Sequence, residues 1–466
     1  MAIILRRSNR FPRLTTLSSV LTAAVAVAAM AILGNARSDS PQPGRPISSF
    51  APILEKIIPA VVTIRVTGET LKPVEFLPRK DGQETAAAQR ETFRAGGSGV
   101  IVDAGNGYIL TNNHVIENAK RIEVGLSDGR RILAKLIGRD IGTDVAVIKV
   151  EEPNLPSVAV GNSDQMRVGD VIMAVGNPFG LESTATLGII SALMRTEVGH
   201  EAFEDFMQID AQINPGNSGG ALVNINGELV GINTAVAGGP DRNVGIGFAI
   251  PINMAKVVKS ELIAHGRMRR GSLGLVVEDL APEAAPVSMI GPKRGAVITR
   301  VVSGSPGEKA GLKAGDIVVG VGAKPVRGAA EYTTRVVTLP IDVPVLLTTF
   351  VDGQKTQRSL RATEMVTVPV ERTLSRDAGS ISGAALGDIL PGNPLYGDVR
   401  GTQVLKVPAD TAAGQAGFQE GDVIVGVDGM NVRSTDDLVR ALDRTGMQYR
   451  VRLVRSGMPG WIRGGR

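Results

Sequence analysis

The stretch AGLKAGDIVVGVGAKPV at 310–326 returns as AGFQEGDVIVGVDGMNV at 416–432. Ala310, Gly311, Gly315, Asp316, Val319, Gly320, Val321 and Val326 recur unchanged at 416, 417, 421, 422, 425, 426, 427 and 432. Two copies are too few for a solenoid, which needs at least about three stacked repeats. Each copy has room for roughly 80–90 residues, so the pair reads as two small, separate domains. The rest of the chain, before residue 270, must then hold a fold of its own, in keeping with about three domains for this length.

Aromatic residues make up 3% of the chain, so its cores must be built from Val, Ile, Leu and Ala. The formal charge is +5, but residues 1–36 carry Arg6, Arg7, Arg10 and Arg13 with no acid, and without them the charge falls to +1. That near-balance excludes the basic footprint of a nucleic-acid-binding protein. Residues 1–36 have the form of a secretory signal: a positive start ending at Arg13, an apolar run from Leu17 to Leu33, and small residues at Gly34-Asn35-Ala36 where cleavage is expected. The competing reading is an uncleaved anchor in the inner membrane, since about 17 apolar residues is the lower edge for a spanning helix. With cleavage, the mature chain starts near Arg37 and has no stable membrane span. Residues 37–47, rich in Pro, Gly and Ser, read as a disordered tether. The chain has no cysteine, so an exported form cannot depend on disulfides, which suits a bacterial periplasm.

Short strand patterns follow at regular spacing: Val61–Val66, Gly99–Val102, Tyr108–Thr111, Arg121–Leu126, Arg131–Ile137 and Asp144–Val150. This rhythm predicts a β-barrel. Glu151–Pro156 reads as a crossing to a second set: Val171–Val175, Thr184–Ala192, Phe206–Gln212, Ala221–Asn224, Leu229–Thr234 and Gly245–Ile250. The polar, aperiodic stretch Gly68–Ala95 is too long for an ordinary loop and reads as either functional or disordered. Asn253 is expected to cap a helix ending near Gly266, Arg267–Gly271 to be a basic linker, and Glu364–Asp377 the linker between the repeats.

The chemistry concentrates in three places. Gly216-Asn217-Ser218-Gly219-Gly220 surrounds a serine with glycines, which lets the backbone turn sharply and bring N–H groups near a substrate carbonyl. A nucleophilic serine needs a base, and the base an orienting carboxylate. Of three histidines, His114 follows the apolar run Tyr108-Ile109-Leu110, where a side chain can project into a cleft. His265 lies at a helix end and His200 in a polar stretch. Asp144 opens an alternating strand. Asp140, in the turn just before it, is the runner-up and reads as turn chemistry. The order His114, Asp144, Ser218 is that of the chymotrypsin-type triad. His114 and Asp144 belong to the first strand set and Ser218 to the second, so a cleft between barrels would unite them. No His, Cys or Asp cluster suggests a metal, and this chemistry needs no cofactor.

TNNHV (111–115), DVAVIKV (144–150), VGNPFGLESTATLGIIS (175–191), INPGNSGGALVN (213–224) and GIGFAIP (245–251) resemble the HtrA/Deg family of serine proteases, and both repeats resemble PDZ domains. The resemblance runs from about residue 47 to about 455. It implies a mostly β chain: a chymotrypsin-like double β-barrel protease domain (48–266) followed by two PDZ-like α+β domains, 272–363 and 379–455. It implies His114 as base, Asp144 as its partner, Ser218 as nucleophile, and an oxyanion hole from the backbone of Gly216, Asn217 and Ser218. By the same resemblance Thr234, Ala235, Val236, Ala237 and Gly238 wall the substrate pocket, with a small aliphatic residue preferred before the cut. Met194–Phe206 matches a loop that senses PDZ or subunit contacts.

In the first PDZ-like domain, Leu273, Gly274, Leu275, Val276 and Val277 are expected to form the carboxylate loop and edge strand that take hydrophobic C-terminal peptides. In the second, Leu386-Gly387-Asp388 is aligned with Leu273-Gly274-Leu275. Asp388 is there expected to repel a peptide carboxylate. The implied function is periplasmic, ATP-independent endoproteolysis of misfolded or unfolded envelope proteins by homotrimers or larger trimer-based oligomers. The alternatives are a chaperone-like holdase with secondary proteolysis and a membrane-tethered regulatory protease. The intact triad opposes the first. The paired PDZ-like domains and the cleavable signal oppose the second.

Overall fold

The computed structural model describes residues 49–465, except 77–89, 178–182, 197, 199–202, 215, 237–244, 281–293, 352, 366–370, 375, 390–394 and 396–398. A short helix α1 (Ala51–Ile57) leads into the first barrel. Its strands are β1 (Val61–Leu71), β3 (Arg90–Asp103), β4 (Tyr108–Asn112), β5 (Ala119–Gly125), β6 (Arg131–Asp140) and β7 (Val145–Lys149), with β2 (Val74–Glu75) lying outside it. They close in the order β1-β3-β4-β7-β6-β5. The barrel is filled by β-branched and aliphatic side chains, among them Val62, Ile64, Ile101, Ile109, Val124 and Ile148, all 0% exposed. That is the aliphatic core which the scarcity of aromatics requires. A one-turn helix α2 (Asn113–Ile116) follows β4.

The second barrel is built from β9 (Val171–Gly176), β10 (Thr184–Arg195), β11 (Phe206–Ile209), β12 (Ala221–Asn224), β13 (Glu228–Val236) and β14 (Gly247–Pro251), with β8 (Ala159–Val160) added in parallel to β13. The sheet runs β12-β9-β10-β11-β14-β13, and the β12–β13 pairing returns it onto itself. Helix α3 (Ile252–His265) ends on Gly266 in the left-handed region (φ 70°), whose N–H donates to Leu262 O. Pro251, not Asn253, stands at its start. Asn253 is already inside the helix and its amide donates to Asn162 Oδ1.

The first repeat forms a sheet from β16 (Leu275–Asp279), β17 (Ala296–Val301), β18 (Ile317–Val321), β20 (Pro344–Val351) and β21 (Gln354–Arg361), with β19 (Lys324–Pro325) beside β18. Its base is tied by β15 (Gly271–Ser272) pairing with β22 (Thr363–Glu364). Helices α4 (Pro306–Lys309) and α5 (Ala329–Val337) pack on it. The second repeat uses β24 (Ala385–Asp388), β25 (Thr402–Lys406), β26 (Val423–Val427), β28 (Gln448–Arg455) and β29 (Met458–Gly465), with β27 (Met430–Asn431) beside β26. Its helices are α6 (Ala412–Ala416) and α7 (Thr435–Asp443).

This sheet runs past 379–455 at both edges: β23 (Arg372–Thr373) lies beside β24, and β29, itself beyond 455, is followed by β2. The expected linker Glu364–Asp377 therefore holds a paired strand. The stretch Gly68–Ala95 is also structured where described. β1 and β3 continue past the barrel as a two-stranded ribbon as far as Leu71 opposite Arg90. Its β3 arm is exposed except at the half-buried Phe93, so no hydrophobic alternation marked it. Beyond the ribbon, Phe76 is 1% exposed in the core of the second repeat, beside Arg455. Gly460 makes this possible, since a Cβ there would overlap the Phe76 ring and Val74 O.

Candidate active site

Helix α2 places His114 at the mouth of the cleft, with its side chain about half exposed. The turn between β6 and β7 carries Asp144, which is 1% exposed and adopts a left-handed backbone (φ 56°). Aspartate tolerates this conformation better than most residues. Here Asp144 N–H donates to Ile141 O (3.3 Å), while its own carbonyl accepts from Asn113 N–H (3.0 Å) and Asn112 Nδ2 (3.1 Å). With the backbone so fixed, the carboxylate faces the histidine. Oδ1 accepts from the His114 backbone N–H (3.0 Å), and Oδ2 lies 2.8 Å from His114 Nδ1. An ionised carboxylate only accepts, so Nδ1 carries the proton and Nε2 is left as the basic nitrogen.

Oδ2 also accepts from Thr234 Oγ1 (2.7 Å) on β13 of the second barrel. The register of β13 against β14 shifts between Asn233 and Ala235, and Thr234 sits in that irregularity. Such a bulge re-aims a side chain. The Thr234 side chain is thus drawn to the triad. Ser218 Oγ donates to the Thr234 carbonyl (3.0 Å). One residue therefore holds the carboxylate with its side chain and the serine with its backbone. The serine hydroxyl is directed at a carbonyl here, and its proton must be redirected to a base before it can act as a nucleophile.

The loop around Ser218 is moulded by the first barrel. Ser98 on β3, 0% exposed, donates its N–H to Ser218 O (2.8 Å) and its hydroxyl to Gly216 O (2.6 Å), and its Oγ accepts from Asn177 N–H (2.8 Å). With those carbonyls turned toward Ser98, the N–H groups of Gly216 and Ser218 have no partner among the described residues. Asn217 differs from the expectation: its N–H closes a turn on Asn214 O (3.0 Å) and is not available to an oxyanion. Gly219 has φ 82°, and a Cβ there would stand 2.2 Å from Ser98 O, so only glycine fits. Ser98 was missed from the sequence. Its signal was a small polar residue inside the glycine run Gly96-Gly97-Ser98-Gly99.

The other expected residues fall as follows. Ala235 and Val236 continue β13, paired with Phe248 and Gly247. Ala237, Gly238 and His200 lie outside the described residues. His265 sits in the last turn of α3 near Glu261 (3.9 Å), remote in role from the cleft. Asp140 is not a surface turn residue. It is buried, accepts from Thr143 Oγ1 (2.5 Å) and pairs with Arg270 Nη2 (2.5 Å). Arg270 comes from the expected basic linker, yet is 3% exposed and stacks on Phe203 at 4.5 Å. Phe203 N–H in turn donates to Gly142 O (2.9 Å), and Arg400 donates to Ile141 O (3.0 Å). The turn that carries Asp144 is thereby gripped by the linker, by the 194–206 loop and by the second repeat. Among the described residues no group of His, Cys, Asp and Glu is arranged to hold a metal ion.

Comparison with known proteins bears on this geometry. The family model for a trypsin-like peptidase domain matches residues 97–232, and that for a PDZ domain matches 297–334 and 403–455. The periplasmic serine endoprotease DegP of Escherichia coli K12 is 38% identical over 435 residues, covering 88% of this chain and 90% of that protein. The chain belongs to the HtrA/Deg family of serine endoproteases. The periplasmic pH-dependent serine endoprotease DegQ of the same organism is 41% identical over 402 residues, covering 85% and 87%. A solved HtrA-type protease, AlgW with a decapeptide, covers 69% of this chain and all of its own at a TM-score of 0.51 and 38% identity.

The PDZ domains of this HtrA-type chain correct one alignment. In the first, Gly274 has φ 70° and leaves no room for a Cβ against Ser305, the N-cap of α4, while Leu273 O accepts from Gly307 N–H (2.9 Å). In the second, Gly383 (φ 82°) lies likewise against Thr411, the N-cap of α6, and Ser382 O accepts from Ala413 N–H (3.1 Å). The counterpart of Leu273-Gly274-Leu275 is therefore Ser382-Gly383-Ala384, not Leu386-Gly387-Asp388. Asp388 instead caps α7, accepting from Thr435 N–H (2.5 Å) and Oγ1 (2.7 Å). Asp279 does the same for α5 through Ala329 N–H (2.6 Å). A helix-capping carboxylate at the far end of β24 does not stand beside the carboxylate turn, so the expected repulsion has no basis. In the first domain Leu273 is buried and Leu275 and Val277 pack on the core, while Val276 is exposed on β16.

Proposed function

We propose that this chain is an exported serine endoprotease that cuts unfolded envelope proteins without ATP. Ser218 is the nucleophile, His114 the general base and acid, and Asp144 the residue that fixes the imidazole tautomer and stabilises the imidazolium. The observation that carries this reading is the Asp144 carboxylate, which accepts from both His114 Nδ1 and Thr234 Oγ1 across the two barrels. Once Ser218 Oγ leaves Thr234 O and turns to His114, it attacks the scissile carbonyl and the proton passes to Nε2. The oxyanion is received by the N–H groups of Gly216 and Ser218, each such donor contributing typically about 3–4 kcal/mol in the transition state. On the family resemblance alone, Thr234 to Gly238 are assigned to the wall of the pocket for a small aliphatic residue before the cut. Activity falls at acid pH, where a histidine base becomes protonated.

The first PDZ domain supplies capture of hydrophobic chain ends by strand addition at β16. The solved HtrA-type relative AlgW, with a decapeptide, supports peptide binding by such a chain. Residues 1–36 direct export and are removed, which agrees with the periplasmic relatives. Among the described residues no helix is long and apolar enough to cross a membrane. Assembly as a trimer rests on the resemblance. The test is degradation of casein by the purified chain. Ser218→Ala should lower the rate on the order of 10⁶-fold while circular dichroism and peptide binding are unchanged. Degradation by Ser218→Ala at the original rate would overturn the assignment.

A further inference from the structure

The two PDZ domains present their peptide edges differently. In the first, β16 ends its sheet and its outer edge carries no strand among the described residues. In the second, β24 holds the equivalent place, but β23 lies antiparallel beside it, with Arg372 opposite Leu386 and Thr373 opposite Ala385. The ladder runs one residue further. Leu374 N–H donates to Ala384 O (3.1 Å), and Gly383 N–H donates to Leu374 O (3.1 Å). Gly383 is the counterpart of Gly274, so the turn that in a PDZ domain receives a peptide end here receives a carbonyl from within the chain.

The side chains complete the likeness to a bound peptide. Leu374 is 6% exposed and joins the core cluster that contains Ile381, Leu386, and Leu438 and Leu442 of α7. Arg372, two residues earlier, donates to Asp436 Oδ1 at the start of α7 (2.7 Å). Backbone pairing to the edge strand, an apolar side chain sunk between strand and helix, and a polar contact to the helix are the three parts of recognition by strand addition. Leu374 and Arg372 make all three without any other molecule.

We propose that Arg372-Thr373-Leu374 is an intramolecular ligand of the second PDZ domain. That groove is fitted to an internal extended segment with a buried leucine and an arginine two residues ahead, and not to a free chain end. This rests on the PDZ fold of the second repeat and is independent of the triad. Leu374 is nine residues from Gly383 along the chain, so its effective concentration is on the order of millimolar or higher. A free peptide of equal intrinsic affinity must reach that concentration to displace half of it. The consequence is a division of labour: the first domain meets substrate ends, and the second is closed to them by its own linker.

The test uses the full chain carrying Ser218→Ala, so that nothing is cut. The probe is a short peptide ending in leucine with a free carboxylate and bearing a photo-crosslinker, and the labelled sites are mapped by mass spectrometry. Labelling is expected at 275–279 and 329–337, and at least about tenfold less at 383–388 and 435–443. Adding Leu374→Asp is expected to raise labelling of the second groove by about tenfold or more. Equal labelling of both grooves with Leu374 intact would overturn the proposal. Because Leu374 is buried, a second measurement is made without touching it. Hydrogen exchange of the Leu374 and Gly383 amides should be slow, and should stay slow at peptide concentrations that saturate the first domain. Exchange of both amides at the rate of an unstructured chain would also overturn it.

Discussion

Thr234 joins two halves of the site that the sequence presents as unrelated. Its hydroxyl meets Asp144 Oδ2 and its carbonyl holds Ser218 Oγ. Thr234→Val keeps the shape and removes one hydrogen bond to a buried carboxylate, a bond typically worth about 1.5–3 kcal/mol. The expected result is a fall in kcat of roughly 10- to 100-fold with KM little changed, read with a chromogenic peptide. An unchanged kcat would show that the hydroxyl does not support Asp144. Ser218, His114 and Asp144 were legible in the sequence because each stands in a local pattern and together they keep the chain order of a known triad. Thr234 was placed only as part of a pocket wall, since a bulge in β13 decides where its side chain points and no local pattern announces that bulge. Ser98 was hidden for the same reason, as its role is defined by two carbonyls far along the chain.

At the scale of elements, the barrels were readable because their strands alternate and recur at short intervals. Many contacts between domains were not, because they are made by single charged residues that would pass for surface. Lys324 of the first PDZ domain lies 2.8 Å from Asp164 and 3.9 Å from Asp205, while Arg335 of α5, paired within its helix with Glu331, meets the Met194 sulfur (2.8 Å). Burial pushes the Asp205 carboxyl above its ordinary value of 3.8, with Lys324 and Arg335 opposing and Glu331 and Asp164 adding to the rise. A raised native pKa means that the folded state takes up the proton first. The stability it contributes is then fully present below 3.8 and is lost as pH rises through the native value. The melting temperature of the parent chain, relative to Asp205→Asn, is therefore expected to fall as pH is raised from about 4 to 8. A difference that moves in favour of the parent over that range would mean that attraction to Lys324 outweighs burial.

Across the whole molecule, segments named as loop or linker prove to be structural members. β2 lies on the last strand of the chain, and Arg270 reaches the turn that carries Asp144. Neither was legible, because a two-residue strand and a lone arginine have no periodicity to detect. Phe76 shows the consequence for stability, being encoded in the protease region but buried in the last domain. Phe76→Ala is expected to cost about 3–5 kcal/mol, seen in denaturant unfolding as earlier loss of the second PDZ domain while the barrels keep their midpoint. Unaltered unfolding of that domain would show that β2 is not seated there in solution. The central claim is that Ser218 is activated by His114 and Asp144 across the cleft between the barrels. Its most direct measurement is reaction of the full chain with a fluorophosphonate, followed by mapping of the modified peptide. The account predicts one adduct, on Ser218, that disappears in His114→Ala. An adduct on another residue, or equal labelling of Ser218 without His114, would contradict it.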